Sequence, residues 1–357
     1  MSPILGRYLS VRFIASFAFT LGALIAVALT LDLMEEADRV LASQWGGIPG
    51  LLWYSALRLP DLFGQMLPIA TLLGIVISLG QLLRHNELVA IWGGGVSPLQ
   101  IMVQLLPVAV LLGIVGYFNA DFAVPESRAS LRAWDVGEAR KTGILADDGK
   151  LAWMVSGTDV VRTPKRAGPS GELHSITIFR RDAQGRLLER LDASRAEPRN
   201  GGWQLYDVRR VDTGAATTSQ VPELFWDGAI DVAALPLIVS DNGDLTSRQL
   251  LGLIRNEGYG QRPGYRFDTW LQSRVAASLT PTLMVLLAVS LAQRFRRTGV
   301  FATLFLAAIG VGFLFFALDG VAFAMGETGL LPPWFAAWGP KAALVGLVGS
   351  ILLSNEA

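Results

Sequence analysis

The sequence predicts an α-helical membrane protein with six transmembrane helices and an inserted periplasmic antiparallel β domain of jellyroll-like type. Three observations predict it. Hydrophobic residues make up 52% of the 357 positions and charged residues only 17%, so the mean hydropathy of +0.43 lies outside the soluble globular range. Long uncharged apolar runs cluster in both terminal parts of the chain. Between them lies a block of ordinary soluble composition whose segments alternate apolar and polar residues.

A span needs about 20 largely apolar residues to cross about 30 Å of hydrocarbon. Runs of that kind occur at Phe13–Leu31, Leu62–Leu83, Pro98–Ala120, Val275–Gln293 and Thr298–Leu318, and a sixth, Trp334–Leu353, holds Lys341. The N-terminal stretch Met1–Arg12 reads as the start of a retained first span, because the run behind it is long enough to cross and no small-residue cleavage pattern follows. The expected division is 1–124 for spans one to three, 125–265 for the β domain and 266–357 for spans four to six.

Basic residues in short connections favour the cytoplasmic side. Arg7, Arg12, Arg84, Arg294, Arg296 and Arg297 fall in connections on one side, whereas the first opposite connection, "DLMEEADRV", is acidic. Both termini are therefore expected in the cytoplasm and the β block outside. Trp45, Trp53, Trp270, Trp334 and Trp338 fall near the expected outer boundaries, where indoles anchor.

In the outer block, "SITIFRRD", "GRLLERLDASRAE" and "GWQLYDVRRVD" are split by turn signals at Gln184-Gly185 and Asn200-Gly201-Gly202, the pattern of an antiparallel meander with one buried face. Such a domain closes a core as a spacer, or opens to take an acyl chain or to pair its edge with another sheet. "TSRQLLGLIRNEG" then reads as a short amphipathic helix capped by Thr246, with Leu250, Leu251 and Ile254 on one side and Gly258 as the stop.

Several chemistries are excluded. The zero formal net charge gives no field for nucleic acid. The chain has no cysteine, so disulfides, thiolate metal sites and Cys nucleophiles are ruled out. "GILADDGKL" at 143–151 fails as a phosphate loop in spacing and in its last residue. The two histidines, His85 and His174, lie far apart, and no protease or hydrolase motif occurs. The expectation is a non-catalytic subunit with no metal or cofactor of its own, driven by a partner.

"LRHNELVAIWGGGVS", residues 83–97, builds a short exposed helix between two spans. Asn86 can cap a helix starting at Glu87, Leu88, Ile91 and Trp92 share one face, glycines end it, and Ser97-Pro98 starts the next span. Such a stub either rests in the interface or plugs into a cytoplasmic ATPase.

Residues 57–98, "LRLPDLFGQMLPIATLLGIVISLGQLLRHNELVAIWGGGVSP", resemble the signature of the LptF/LptG permease family, and the order of three spans, β domain and three spans matches as well, with Asn119 and Pro125 after span three. Residues 315–340 are similar to spans five and six of the LptG branch, including Pro340. The resemblance implies a subunit of the lipopolysaccharide export ABC transporter in the inner membrane of a Gram-negative cell. Its partners would be the homologous permease LptF, two copies of the ATPase LptB using ATP and Mg, LptC and the periplasmic bridge. Glu87 would be the acid of the coupling helix, with Leu88, Ile91 and Trp92 beside it.

Ala18, Gly22, Ala26 and Thr30 form a small-residue stripe on span one, and Ala308 and Gly312 continue the device on span five, where Thr303 and Ala307 also recur at this spacing. Intrachain packing explains such stripes; the resemblance implies instead that they pack at lateral gates. Lys341 lies about 10 Å into span six and either snorkels or faces a lipid cavity, in a grip shared with Arg39, Arg128 and Arg132. Related permeases place lysines where this chain has Asp32 and Asp61, a departure that sets like charge against lipid phosphate. The rival reading is a mechanotransmitting ABC subunit that drives a periplasmic partner without moving lipid; a lipid enzyme is disfavoured by the missing catalytic groups.

Overall fold

A computed structural model describes residues 3–43, 46–134, 136, 151–164, 167–168, 170–199, 201–214, 217–228, 230, 232, 235, 240–255, 263–294 and 301–356. The chain forms two compact units, 1–131 with 268–357, and 132–267. Trp45, Asn200, Gly258, Arg296, Arg297 and most of the 143–151 decoy lie outside the described residues.

The helices are α1 (Pro3–Ala42), α2 (Ile48–Arg84), α3 (Glu87–Gly93), α4 (Pro98–Phe118), α5 (Val124–Trp134), α6 (Ser247–Arg255), α7 (Gly264–Ala277), α8 (Thr280–Arg294), α9 (Phe301–Glu327) and α10 (Pro333–Glu356). A π turn, Asn119–Ala123, joins α4 to α5. Among the described residues, five helical stretches are long and apolar enough to cross a membrane, and α7 with α8, bent by 47°, makes a sixth if counted as one span. The expected fourth span therefore contains a break. At that break the amides of Ser278 and Leu279 bond back to Val275 and Ala276 in tight turns.

The helices outrun the uncharged segments. α1 has 40 residues, about 60 Å at 1.5 Å per residue, twice the hydrocarbon thickness. α2 is the most buried span, with Pro60 and Pro68 inside it. Gly74 lets α1 approach: a Cβ there would stand 2.7 Å from the Phe17 Cα. Phe13, Phe17, Leu72, Ile75, Leu79, Ile101, Leu105, Met284 and Leu287 of α1, α2, α4 and α8 share one apolar core, to which α3, α9 and α10 add Leu88, Leu304 and Leu344.

The second unit contains one antiparallel sheet of six strands, β1 (Leu151–Ser156), β2 (Asp159–Pro164), β3 (Leu173–Arg181), β4 (Leu187–Arg199), β5 (Gly202–Asp212) and β6 (Thr217–Trp226), in sequential order. Among the described residues this is a meander, without the crossover that defines a jelly roll. Its turns are those read from the sequence: Gly185 and Gly201 take φ of 81° and 82°. Alternation puts Met154, Val161, Ile178, Leu191, Leu205 and Val208 into a core of their own.

The Trp226 indole N–H donates to the buried Asp159 carboxylate at 2.9 Å. β2 and β6 are four strands apart, about 19 Å in a flat sheet, so this bond requires a strongly curled one. In α6, Thr246 and Gln249 form the expected cap with bonds of 2.8 and 3.3 Å. The buried face is Leu250 and Leu253, and Leu251 is exposed, because the helix turns it to the opposite side.

Candidate functional site

The helical unit has two polar ends. α1 runs from Tyr8 to Asp32 over 24 residues, about 36 Å, and α2 from Asp61 to Arg84 over 23, about 35 Å, so the two ends lie on opposite sides of a hydrocarbon slab about 30 Å thick.

At the first end, α3 packs against the spans. Asn86 caps it through its backbone in the left-handed conformation (φ 57°), not through its side chain as expected. Ser97 caps α4 with Pro98 in the first turn as expected, and Gln100 completes a capping box with bonds of 3.0 and 3.2 Å. Leu88 is fully buried in the transmembrane core, and Ile91 and Trp92 pack against that core. The apolar face of the stub is thus turned inward, and Val89, Ala90 and Gly93 are the residues it exposes. Glu87 ties α3 to α1: it accepts a hydrogen bond from the Tyr8 hydroxyl and lies 3.7 Å from the Arg12 guanidinium, which stands over the Tyr8 ring. α3 is thus joined to α1 through Glu87 and to the core through Leu88.

At the other end, charges are buried and paired. The Arg58 guanidinium donates to both Asp32 oxygens at 2.7 and 3.0 Å and to Asp61 at 3.2 Å. Tyr54 also donates to Asp32, at 2.7 Å. Asp61 in turn accepts from Arg128 at 2.9 and 3.0 Å through both of its oxygens. This chain of alternating charge joins α1, α2 and α5. Its inner members are nearly inaccessible, with 7% of the Arg58 side chain and 9% of Asp61 exposed, whereas Arg128 at its edge is 24% exposed. Beside it, Asn119 in the π turn donates to the Pro60 carbonyl at 2.8 Å, and Arg274 of α7 pairs with Asp121 of the same turn at 3.1 Å.

The comparisons with known proteins bear on both ends. The family model of the lipopolysaccharide export system permease LptF/LptG matches residues 7–355. The chain belongs to this family. Among its relatives, the permease protein LptG of Escherichia coli K12 is 22% identical over 95% of both chains, and LptG of Haemophilus influenzae is 21% identical over 99% of both. In this LptF/LptG-family permease the quoted resemblance at 57–98 thus extends over nearly the whole chain, and the protein is a multi-pass transporter membrane subunit with an inserted β domain.

The four cations expected to grip lipid each meet a carboxylate. Arg39 pairs with Glu36 at 2.6 Å, Arg128 with Asp61, and Arg132, within the second unit, with Asp244 at 2.7 Å. Lys341 of α10 is buried against Asp319 of α9. It neither snorkels nor lines an open surface, because the two helices supply its counter-ion at the same depth. The stripe Ala18, Gly22, Ala26 and Thr30 is exposed on α1, and a Cβ on Gly22 would meet nothing within 4 Å. Ala308 and Gly312 are both buried, and a Cβ on Gly312 would stand 2.4 Å from Leu72 of α2. They serve packing within the chain.

Trp270 departs from the expected interfacial role. It is buried and its indole N–H donates to Glu327. Trp338 donates to Gln272 at 3.1 Å, while Trp53 and Trp334 are exposed as anchors require. Sequence reasoning missed Arg58, Asp121, Arg274 and Asp319. A signal existed for Arg58, which stands three residues before Asp61 on one helix face.

Proposed function

We propose that this chain is the LptG-type permease subunit of the lipopolysaccharide export ABC transporter, extracting lipopolysaccharide from the inner membrane and passing it to the periplasmic bridge. The match to LptG across 95% of both chains carries this reading. Arg7, Arg12 and Arg84 surround the α3 end, which favours that end, and with it both termini, in the cytoplasm of a Gram-negative cell. The acidic far end and the β unit then face the periplasm.

ATP is hydrolysed with Mg by a partner, two copies of LptB, docked on α3, and this chain supplies no catalytic group. LptF completes the lipid cavity, with the exposed stripe on α1 offering close approach to a neighbouring helix, and LptC and the bridge receive the lipid. Because Leu88, Ile91 and Trp92 face inward, the ATPase contacts the surface of Val89, Ala90 and Gly93 and the Glu87 edge, and motion passes to α1 through Arg12 and Tyr8. Purification of the tagged chain from its host membrane, followed by reconstitution, tests this. An ATPase, a second permease and bound glycolipid are expected to co-purify, and Glu87→Arg is expected to lower lipid-stimulated hydrolysis at least about fivefold, the lower bound of typical coupling. Undiminished stimulation would remove Glu87 from the coupling path.

A further inference from the structure

The far end of the helical unit carries five cations, Arg39, Arg58, Arg128, Arg274 and Lys341, and each is paired with a carboxylate of the same chain: Glu36, Asp32, Asp61, Asp121 and Asp319. Five further carboxylates, Glu35, Asp38, Glu126, Asp268 and Glu327, lie on the same end, so that acid outnumbers base there by ten to five. Asp61 holds the pivotal place. It accepts from the buried Arg58 on one side and, through both oxygens, from the partly exposed Arg128 on the other.

A phosphate approaching Arg128 meets Asp61 already in the position an external anion would take. It must displace that carboxylate or sit beside it, and in a site removed from water two adjacent anions repel strongly. A headgroup that binds through hydroxyl and amide groups meets no such opposition, since a carboxylate accepts hydrogen bonds as readily as it repels charge.

We propose that Asp61 is a specificity-determining residue: as the resident anion on Arg58 and Arg128 it makes this end of the permease accept glycolipid headgroups that carry little phosphate, without selecting for phosphate. The inference rests on the reading that the chain moves a glycolipid.

The test is a binding titration on the purified permease assembly in nanodiscs, in chelating buffer so that no divalent ion bridges anions, with bisphosphorylated and dephosphorylated lipid A as the two probes. The wild type is expected to bind both forms within about threefold of one another, a difference of well under one charge-pair interaction. Asp61→Asn is expected to tighten the bisphosphorylated form about tenfold and to leave the dephosphorylated form unchanged. Adding Arg128→Gln to Asp61→Asn should remove that gain, a ligand-specific reversal that loss of packing alone does not produce. If Asp61→Asn fails to fold, the salt dependence of the wild type remains informative: raising the ionic strength should not weaken the bisphosphorylated form more than the dephosphorylated one. A wild-type preference of tenfold or more for the bisphosphorylated form, equal shifts of both lipids in Asp61→Asn, or a loss of the bisphosphorylated form alone at raised ionic strength would each overturn the proposal. Binding of neither form contradicts the glycolipid reading itself.

Discussion

The two ends of the helical unit solve opposite problems with the same residue types. At the α3 end one acid, Glu87, is left partly at the surface, 35% exposed, accepting from the Tyr8 hydroxyl and 3.7 Å from Arg12, while Leu88 is sunk into the core and Ile91 and Trp92 pack against it. At the far end acids and arginines are packed together at 2.7–3.2 Å, each carboxylate held by a cation of a neighbouring helix or turn. The first arrangement leaves a charge able to exchange partners. The second fixes helices to one another, because a buried ion that loses its counter-charge is costly. A subunit that must receive motion at one face and hold a shape at the other needs both.

Breaking the far end should give the largest effect. Arg58→Met removes the buried cation between the buried Asp61 and the part-buried Asp32, with an expected loss of about 3–5 kcal/mol in stability, visible as a lowered thermal midpoint in detergent. Leu88→Ala, at the α3 end, opens a cavity at a fully buried position and should cost about 3 kcal/mol by the same measurement, although the residue lies in a helix of only seven residues. Lys341→Met should cost less, about 2 kcal/mol, because the Asp319 side chain it leaves behind is 29% exposed and keeps some solvent or neighbour contact. Lys341→Met combined with Asp319→Leu is expected to restore the midpoint, since replacing a whole buried pair with apolar groups is often neutral. Smallest of all, Leu251→Ala on α6 should stay within about 0.5 kcal/mol, because that side chain is exposed. A loss as large for Leu251 as for Leu88 would contradict the assigned faces.

Much of the fold was legible because hydrocarbon length and strand alternation leave few alternatives. The long spans, the inserted sheet and the turns at Gly185 and Gly201 follow from local pattern. What escaped detection has one physical cause. Spans were delimited by their first charge, yet α1 continues past Asp32, and α9 past Asp319, because each of those acids meets a cation on a neighbouring helix. Pairing of that kind joins residues 26, 67 or 153 positions apart, a separation no local window contains. The face of α3 was read correctly as apolar, but periodicity gives a stripe without saying what covers it. Here the covering surface is the chain's own core, and the stripe of Ala308 and Gly312 carried the same ambiguity between packing within the chain and a lateral gate; Gly312 lies against Leu72 of α2.

The account depends on the α3 end facing the cytoplasm, where an ATPase can reach it. The chain contains no cysteine, so a single cysteine can be introduced and labelled without ambiguity. Val89→Cys, at a position 45% exposed on α3, is the most direct probe when treated with a membrane-impermeant thiol reagent. Labelling in inverted membrane vesicles and protection in intact spheroplasts is the predicted result; labelling in intact spheroplasts would place α3 on the periplasmic side and contradict the coupling of this subunit to a cytoplasmic motor.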